Sequence, residues 1–382
     1  MVSNEPFPRP AERIPLPFSR LAIALVALAF AAPAAAQEDP RFLLPPAPDA
    51  KPPKAWEVPQ FREELRKLVE GLAQYAEARD PKFVIVGRNP LGLMATSNWE
   101  IQRQSLVDPK AEDRNPIPDT APGAPFRRIL RDLDAVALDD LNCPKPKPQP
   151  DAPQPTPAQL KAEAAREAQI KAIRAAGTPI LSLDRCALSH YELARKGRAA
   201  KALSVAAIGA PDAPKRLPSE RPPYENSDGV AVLADARNAY WLRSPRAYGS
   251  KADWLAAAMK SNADLLIVDA FYAADQPLTK ADVTGLKYKF MGPRRLVLAE
   301  IDLTAARDDR YYWKREWRIG ETPILREPLR DHSNGALANY WLKDWKDILG
   351  QYFVGLMDLG FDGVLLEGLE AADRLEYEVI LE

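Results

Sequence analysis

Apolar residues along this chain gather into short continuous runs, at 83–87, 134–139, 179–184, 203–208, 239–243, 264–269, 296–301 and 363–367. Parallel strands buried on both faces have this character, because neither face alternates with polar positions. Between the runs the period changes. Phe61, Leu65, Leu68, Val69, Leu72, Tyr75 and Ala76 recur at helical spacing ahead of DPKFVIVGRN. Thr156, Pro157 and Gly177 mark the cap, first turn and end of a second helix that feeds TPILSLD. Eight buried strands alternating with helices predict an α/β fold, a closed (β/α)8 TIM barrel, with a doubly wound open sheet as its rival. VAVLAD at 230–235 competes with 203–208 and 239–243 for a strand place. Long loops are expected at 90–130, 144–157, 209–238 and 303–340.

The start of the chain has a different pattern. LAIALVALAFAAP at 21–33 follows Arg9, Arg13 and Arg20 and leads into AAAQ, the layout of a secretory signal peptide ending near Ala36. The run is shorter than the ~20 apolar residues a stable membrane span needs. The expected organisation is a leader at 1–36, a proline-rich tether at 37–56 and one barrel domain at 57–382, secreted or periplasmic, with no stable membrane span once the leader is removed. A second proline-dense stretch, 144–157, reads as a surface loop, since proline denies the backbone donor that a packed element requires.

With 52 basic and 53 acidic residues the 382-residue chain carries a formal charge of −1, so no global field selects nucleic acid or an anionic membrane. The only two cysteines, Cys143 and Cys186, each lie a few residues beyond a predicted strand. In an oxidising compartment, and with those strands adjacent, they are expected to form a disulfide. Two cysteines and two histidines (His190, His332) lack metal-ligand spacing, so neither metal nor cofactor is expected. His190, in SHYELARK, reads as a helix surface residue.

The chemistry lies where the strands end. AVALDD supplies Asp139 and Asp140, ILSLD Asp184, LLIVD Asp269, LVLAEID Glu300 and Asp302, and GVLLE Glu367. In a (β/α) barrel all C-terminal strand ends open onto one face, so these acids converge. Any one of them could simply cap a helix or order a turn, but capping accepts serine, threonine or asparagine equally well, and none of the five strands uses them. Crowded carboxylates raise one another's pKa, and a protonated acid beside an ionised one is what glycosidic cleavage needs. A negative pocket would also suit a cationic or amino-sugar substrate, or a divalent cation. Tyr311, Tyr312 and Trp313, in RYYWKREW, are candidate sugar platforms. Trp341, Trp345, Ile348, Leu349 and Tyr352 recur at helical spacing and read as core.

LIVDAF, LVLAEIDLTAARDDRYYW and GFDGVLLEGLE together resemble the barrels of glycoside hydrolase family 114, the endo-α-1,4-polygalactosaminidase-like group. DPKFVIVGRN, DAVALDDL and PILSLDR are similar to the segments NPxFxIIPQN, DGIGVEDL and VLVVDY, which in such proteins follow the GFDGV strand. Here they precede it, and a circular permutation is the simplest account, since barrel ends adjoin in space. The resemblance covers roughly residues 57–377. It implies a secreted hydrolase of polysaccharide or oligosaccharide with Asp269 and Glu367 as the catalytic pair. Asp139, Asp140, Asp184, Asn89, Glu300, Asp302, Tyr312 and Trp313 would then bind substrate. Two departures bear on activity: Ala305 stands where many members have glutamate, and Glu367 is one methylene longer than the family's aspartate. The alternatives are a carbohydrate-binding barrel without hydrolysis and a divalent-metal enzyme. No HIGH or KMSKS nucleotide-binding signature is present.

Overall fold

The computed structural model describes residues 53–107, 127–144, 156–206, 208–210, 213–218, 221–243, 245–329 and 334–379. The expected leader, most of the tether, most of the 144–157 loop and His332 lie outside them. Eight parallel strands close into one barrel in chain order: β1 Val84–Arg88, β2 Ala135–Asp139, β3 Ile180–Leu183, β4 Leu203–Ala206, β5 Ala239–Leu242, β6 Leu265–Val268, β7 Leu296–Asp302 and β8 Gly363–Glu367. β8 returns to β1 with Val84 opposite Gly363, and a Cβ at Gly363 would collide with the Val84 carbonyl, so only glycine permits this closure. The strands match the eight apolar runs, and the open-sheet rival is excluded.

Eight α-helices surround the described barrel: α1 Phe61–Arg79, α2 Asn98–Val107, α3 Pro157–Ala176, α4 His190–Ala199, α5 Lys251–Met259, α6 Lys280–Leu286, α7 Lys343–Leu359 and α8 Ala371–Glu378. α3 ends as its sequence dictates. The Thr156 side chain accepts from Gln159 N–H in a capping box, and Gly177 closes the helix at φ 76°. α4 uses Ser189 and Glu192 in the same way, with His190 as its first residue. α2 lies within the expected 90–130 loop, and the 303–340 loop contains a three-stranded antiparallel sheet of 305–307, 335–338 and 325–328. Trp345, Leu349 and Tyr352 are buried on α7, as their spacing requires.

Strand periodicity separates two apolar layers. Val86, Ala137, Leu183, Trp241, Ile267, Leu298 and Leu365 point inward, and Ile85, Val136, Leu266, Val297 and Leu366 point out toward the helices. Between β4 and β5 the described residues contain no α-helix. Instead 221–238 passes beneath the barrel, where Val230 N–H donates to Arg294 O at 2.9 Å and its side chain plugs the interior. Residues 230–235 are therefore a plug and a short 3-10 turn, not a strand. Beside the plug, Lys289 and Asp264 form a fully buried pair at 2.5 Å.

Candidate functional site

The same two-residue period that buries Val86, Ala137, Trp241, Ile267, Leu298 and Leu365 carries Arg88, Asp139, Arg243, Asp269, Glu300, Asp302 and Glu367 onto the inner face at the C-terminal mouth. A cavity of about 740 Å³ opens there, and Arg88, Asp139, Arg243, Asp302, Glu367 and Glu370 are among the residues that line it. Trp241, buried in the barrel interior, packs against two of the charged residues at this mouth. The Arg88 guanidinium lies 5.1 Å from that ring, and the indole N–H donates to Glu300 Oε2 at 2.9 Å.

Arg88 joins two carboxyl groups. Its Nε and Nη2 donate to both oxygens of Asp139 at 2.9 and 2.7 Å, and Nη1 donates to Glu367 Oε2 at 2.8 Å. Arg243 enters from the end of β5, with Nε 2.7 Å from Glu300 and the two Nη atoms 4.0 Å from Asp302 and Glu367. Two guanidiniums thus face four carboxyl groups. Burial is the main force on Glu367, pushing its carboxyl up to about 7; Arg88 and Arg243 oppose that rise, and Glu300 and Asp302 add to it. The same carboxylates hold both arginines above the ordinary guanidinium range against the opposing effect of burial. Glu367 Oε1 is buried and has no hydrogen-bond partner among the described residues.

Asp302 sits beside Glu367 in the strand register. Its Oδ1 accepts from the Thr304 and Ala305 N–H groups, both at 2.9 Å, which leaves Oδ2 toward Arg243. Gly368, at φ 83°, allows this approach, since a Cβ there would strike Asp302 and Thr304. Asn89, in the left-handed region at φ 47°, accepts from Asp139 N–H at 3.1 Å and also lines the cavity.

Asp140 also lines the cavity, and the other expected residues are placed differently. Asp269 accepts Phe271 N–H at 2.9 Å and Arg310 Nη2 at 2.7 Å, and it is not among the cavity-lining residues. Arg310 stacks 5.0 Å from the Phe271 ring and covers that carboxylate. Asp184 points out of phase with the inner face, where it accepts from Ser182 and from both nitrogens of Asn142. Asp140, at φ 56°, accepts from the Arg185 backbone and guanidinium. Tyr312 is packed edge-on to Trp345 and Trp313 edge-on to Trp317, while Tyr311 is 53% exposed. The expected bridge joins Cys143 to Cys186, with Cα atoms 5.7 Å apart. Among the described residues no cluster of three or more His, Cys, Asp or Glu is arranged to hold a metal, and no helix is long and apolar enough to cross a membrane.

Sequence reasoning missed the arginines. Arg88, Arg185 and Arg243 each stand at or just past a strand end, in VIVGR, ILSLDR and YWLR, and so obey the placement rule that exposed the acids. The ring is consequently not a bare negative pocket but a network in which Asp139, Glu300, Asp269 and Asp140 each have a guanidinium partner.

No family model matches the chain. A protein of Methanocaldococcus jannaschii described as uncharacterized is 23% identical over 167 residues, 44% of this chain and 46% of its own length. An uncharacterized protein of Thermotoga maritima is 26% identical over 84 residues, 22% of this chain and 26% of its own. A third, from Deinococcus radiodurans and also uncharacterized, is 27% identical over 120 residues, 31% and 37%. The chain therefore spans about a quarter to about half the length of these curated relatives.

Proposed function

We propose that this barrel is a secreted glycoside hydrolase acting on a polysaccharide, amino-sugar polymers first among the candidates, with Glu367 as the proton-donating acid. The observation that carries the reading is the state of Glu367 at the cavity wall. Oε2 is held by Arg88, Oε1 is buried with no partner among the described residues, and burial lifts the carboxyl to about 7, so near neutral pH a proton is available. That proton would pass to the glycosidic oxygen as the bond to the anomeric carbon breaks. The ionised partner that geometry favours is Asp139, which lines the same cavity and is fixed by the same guanidinium. A carboxylate has about four lone-pair sites, so the two bonds from Arg88 leave Asp139 able to engage a water or the sugar. Asp269, the partner expected from the family resemblance, is covered by Arg310 and would need that arginine to move. The resemblance of residues 57–377 to a permuted family 114 barrel supports the same reaction class, and the packing of α1 against α8 brings the chain ends of the barrel together as a permutation requires.

Reducing-end release from amino-sugar polymers by wild type, Glu367→Gln, Asp139→Asn and Asp269→Asn tests this. The expected result is release by wild type, loss in the first two variants and retention in the third. Loss in Asp269→Asn with retention in Asp139→Asn would restore the pair expected from sequence. One observation favours a second reading, a carbohydrate-binding barrel without hydrolysis: Asp139 spends both oxygens on Arg88. Sugar binding by all four proteins with no release by any would establish it.

A further inference from the structure

The exits of β2 and β3 are tied together far more heavily than a simple turn needs. Asp140 N–H donates to Leu183 O at 3.1 Å, and the Asp140 carboxylate accepts from Arg185 N–H at 2.8 Å and from its Nη2 at 2.7 Å. Asp184 returns the link in the opposite direction, accepting from Asn142 N–H at 2.8 Å and Nδ2 at 2.9 Å, and Ser182 Oγ steadies it at 2.7 Å. The Cys143–Cys186 bridge closes the same pair of loops. Three connections therefore fix one strand end against its neighbour, on exposed or half-buried chain where little apolar area is gained.

What these connections hold is the carboxylate next in sequence. Asp139 immediately precedes Asp140, and Arg185 Nη2 reaches to 3.5 Å from its Oδ2. From Asp139 the contacts continue without a gap: both oxygens to Arg88, and Arg88 Nη1 to Glu367. Arg185 itself lines the cavity. A loosened β2–β3 exit would let Asp139 drift, and an arginine fixed by two parallel bonds to one carboxylate loses its aim when that carboxylate moves.

We propose that the cystine, with Asp140 and Arg185, is a positioning clamp for the cavity: it sets the place of Asp139 and thereby the contact between Arg88 and Glu367. The inference deepens the hydrolase reading and rests on it only for the consequence to activity; the clamp itself is read from the carboxyl of Glu367. The charged groups facing that carboxyl are Arg88, Arg243, Glu300, Asp302 and Glu370. If Arg88 is displaced, the largest stabilising charge on the ionised form is weakened, so Glu367 should hold its proton to higher pH.

The experiment is a carboxyl titration by NMR of full-length protein carrying carbon-13-labelled glutamate, with Glu367→Gln identifying the resonance. Wild type is compared with the Cys143→Ala/Cys186→Ala double variant and with Arg185→Gln, which keeps the disulfide. The clamp predicts an upward shift of the Glu367 midpoint by half a pH unit or more in both variants, with far-UV circular dichroism unchanged. A lowered melting temperature with the Glu367 midpoint unmoved in Arg185→Gln overturns the proposal and leaves the bridge as a staple of stability alone. Should the double variant fail to fold, Asn142→Ala, which removes a neutral tie between the two exits and changes no charge, decides in its place by the same midpoint. Absence of polymer cleavage by wild type would count against the hydrolase reading while leaving the titration as informative as before.

Discussion

Both mouths of the barrel bury ion pairs, and they handle them in opposite ways. At the N-terminal mouth Lys289 pairs with Asp264 and also donates to the Asn226 side chain and carbonyl and to Asp228 O. Asp264 in turn accepts from Asn226, Arg237 N–H and Asn238. Both charges of that pair are answered, and Val230 packs into the barrel interior beside them. At the C-terminal mouth the arginines answer most of the carboxylates, yet Glu367 Oε1 is buried without a partner among the described residues, in a side chain that lines the cavity. A satisfied buried network stabilises one structure, whereas a buried polar atom left without a partner costs about 1–3 kcal/mol. The lower mouth holds a satisfied ion pair, and the upper one keeps a buried carboxyl oxygen without a partner among the described residues.

The largest effect that would sharpen this contrast is at the lower mouth. Lys289→Met leaves Asp264 buried without its cation and should cost about 3–5 kcal/mol, seen as a fall in denaturant midpoint, with cleft binding unchanged in the protein that remains folded. At the upper mouth Glu367→Gln should do the reverse. Activity on a susceptible polymer falls by about 100-fold or more, while stability above pH 7 holds or rises because a strained ionisation is removed.

The third test is the pH dependence of stability. A carboxyl raised in the folded state keeps a proton that the unfolded chain releases near 4.5. Its contribution is therefore fully present below about 4.5, declines as pH rises through the window up to about 7, and is lost above it. Glu376 is also raised to about 7, chiefly by burial and against its contact with Arg62, and adds a second decline of the same sign. Urea unfolding of Glu367→Gln across that window should show a shallower fall than wild type but not a flat line. A wild-type curve that rises with pH there would contradict the raised carboxyl. Smallest is Thr156→Ala on α3, remote from both networks, which should cost about 1 kcal/mol and leave the titration of Glu367 alone.

The barrel was legible because strands buried on two faces leave no choice of side: all eight apolar runs became strands. Thr156 and Gly177 were legible because caps act within a few residues. The site was legible only as a set of positions. Strand ends identify which residues face the mouth, but whether Asp269 meets the cavity or Arg310 depends on the chain from 303 to 342 folding back over it, and no local pattern encodes that return. Asp184 looked like a member of the ring and instead orders the loop of the neighbouring strand, while Asp140 lines the cavity and is held there by Arg185. Parity could have separated Asp184, since it falls on the same face as the outward Ser182 rather than with Leu181 and Leu183.

Whether Glu367 donates a proton at the C-terminal cavity is read most directly from the pH profile of reducing-end release from an amino-sugar polymer by wild type and Glu367→Gln. A proton-donating Glu367 gives release by wild type that declines as pH rises past about 7, where the carboxyl ionises, and its loss in the variant. Equal release by the two proteins, or release by wild type that grows above pH 7, would contradict it.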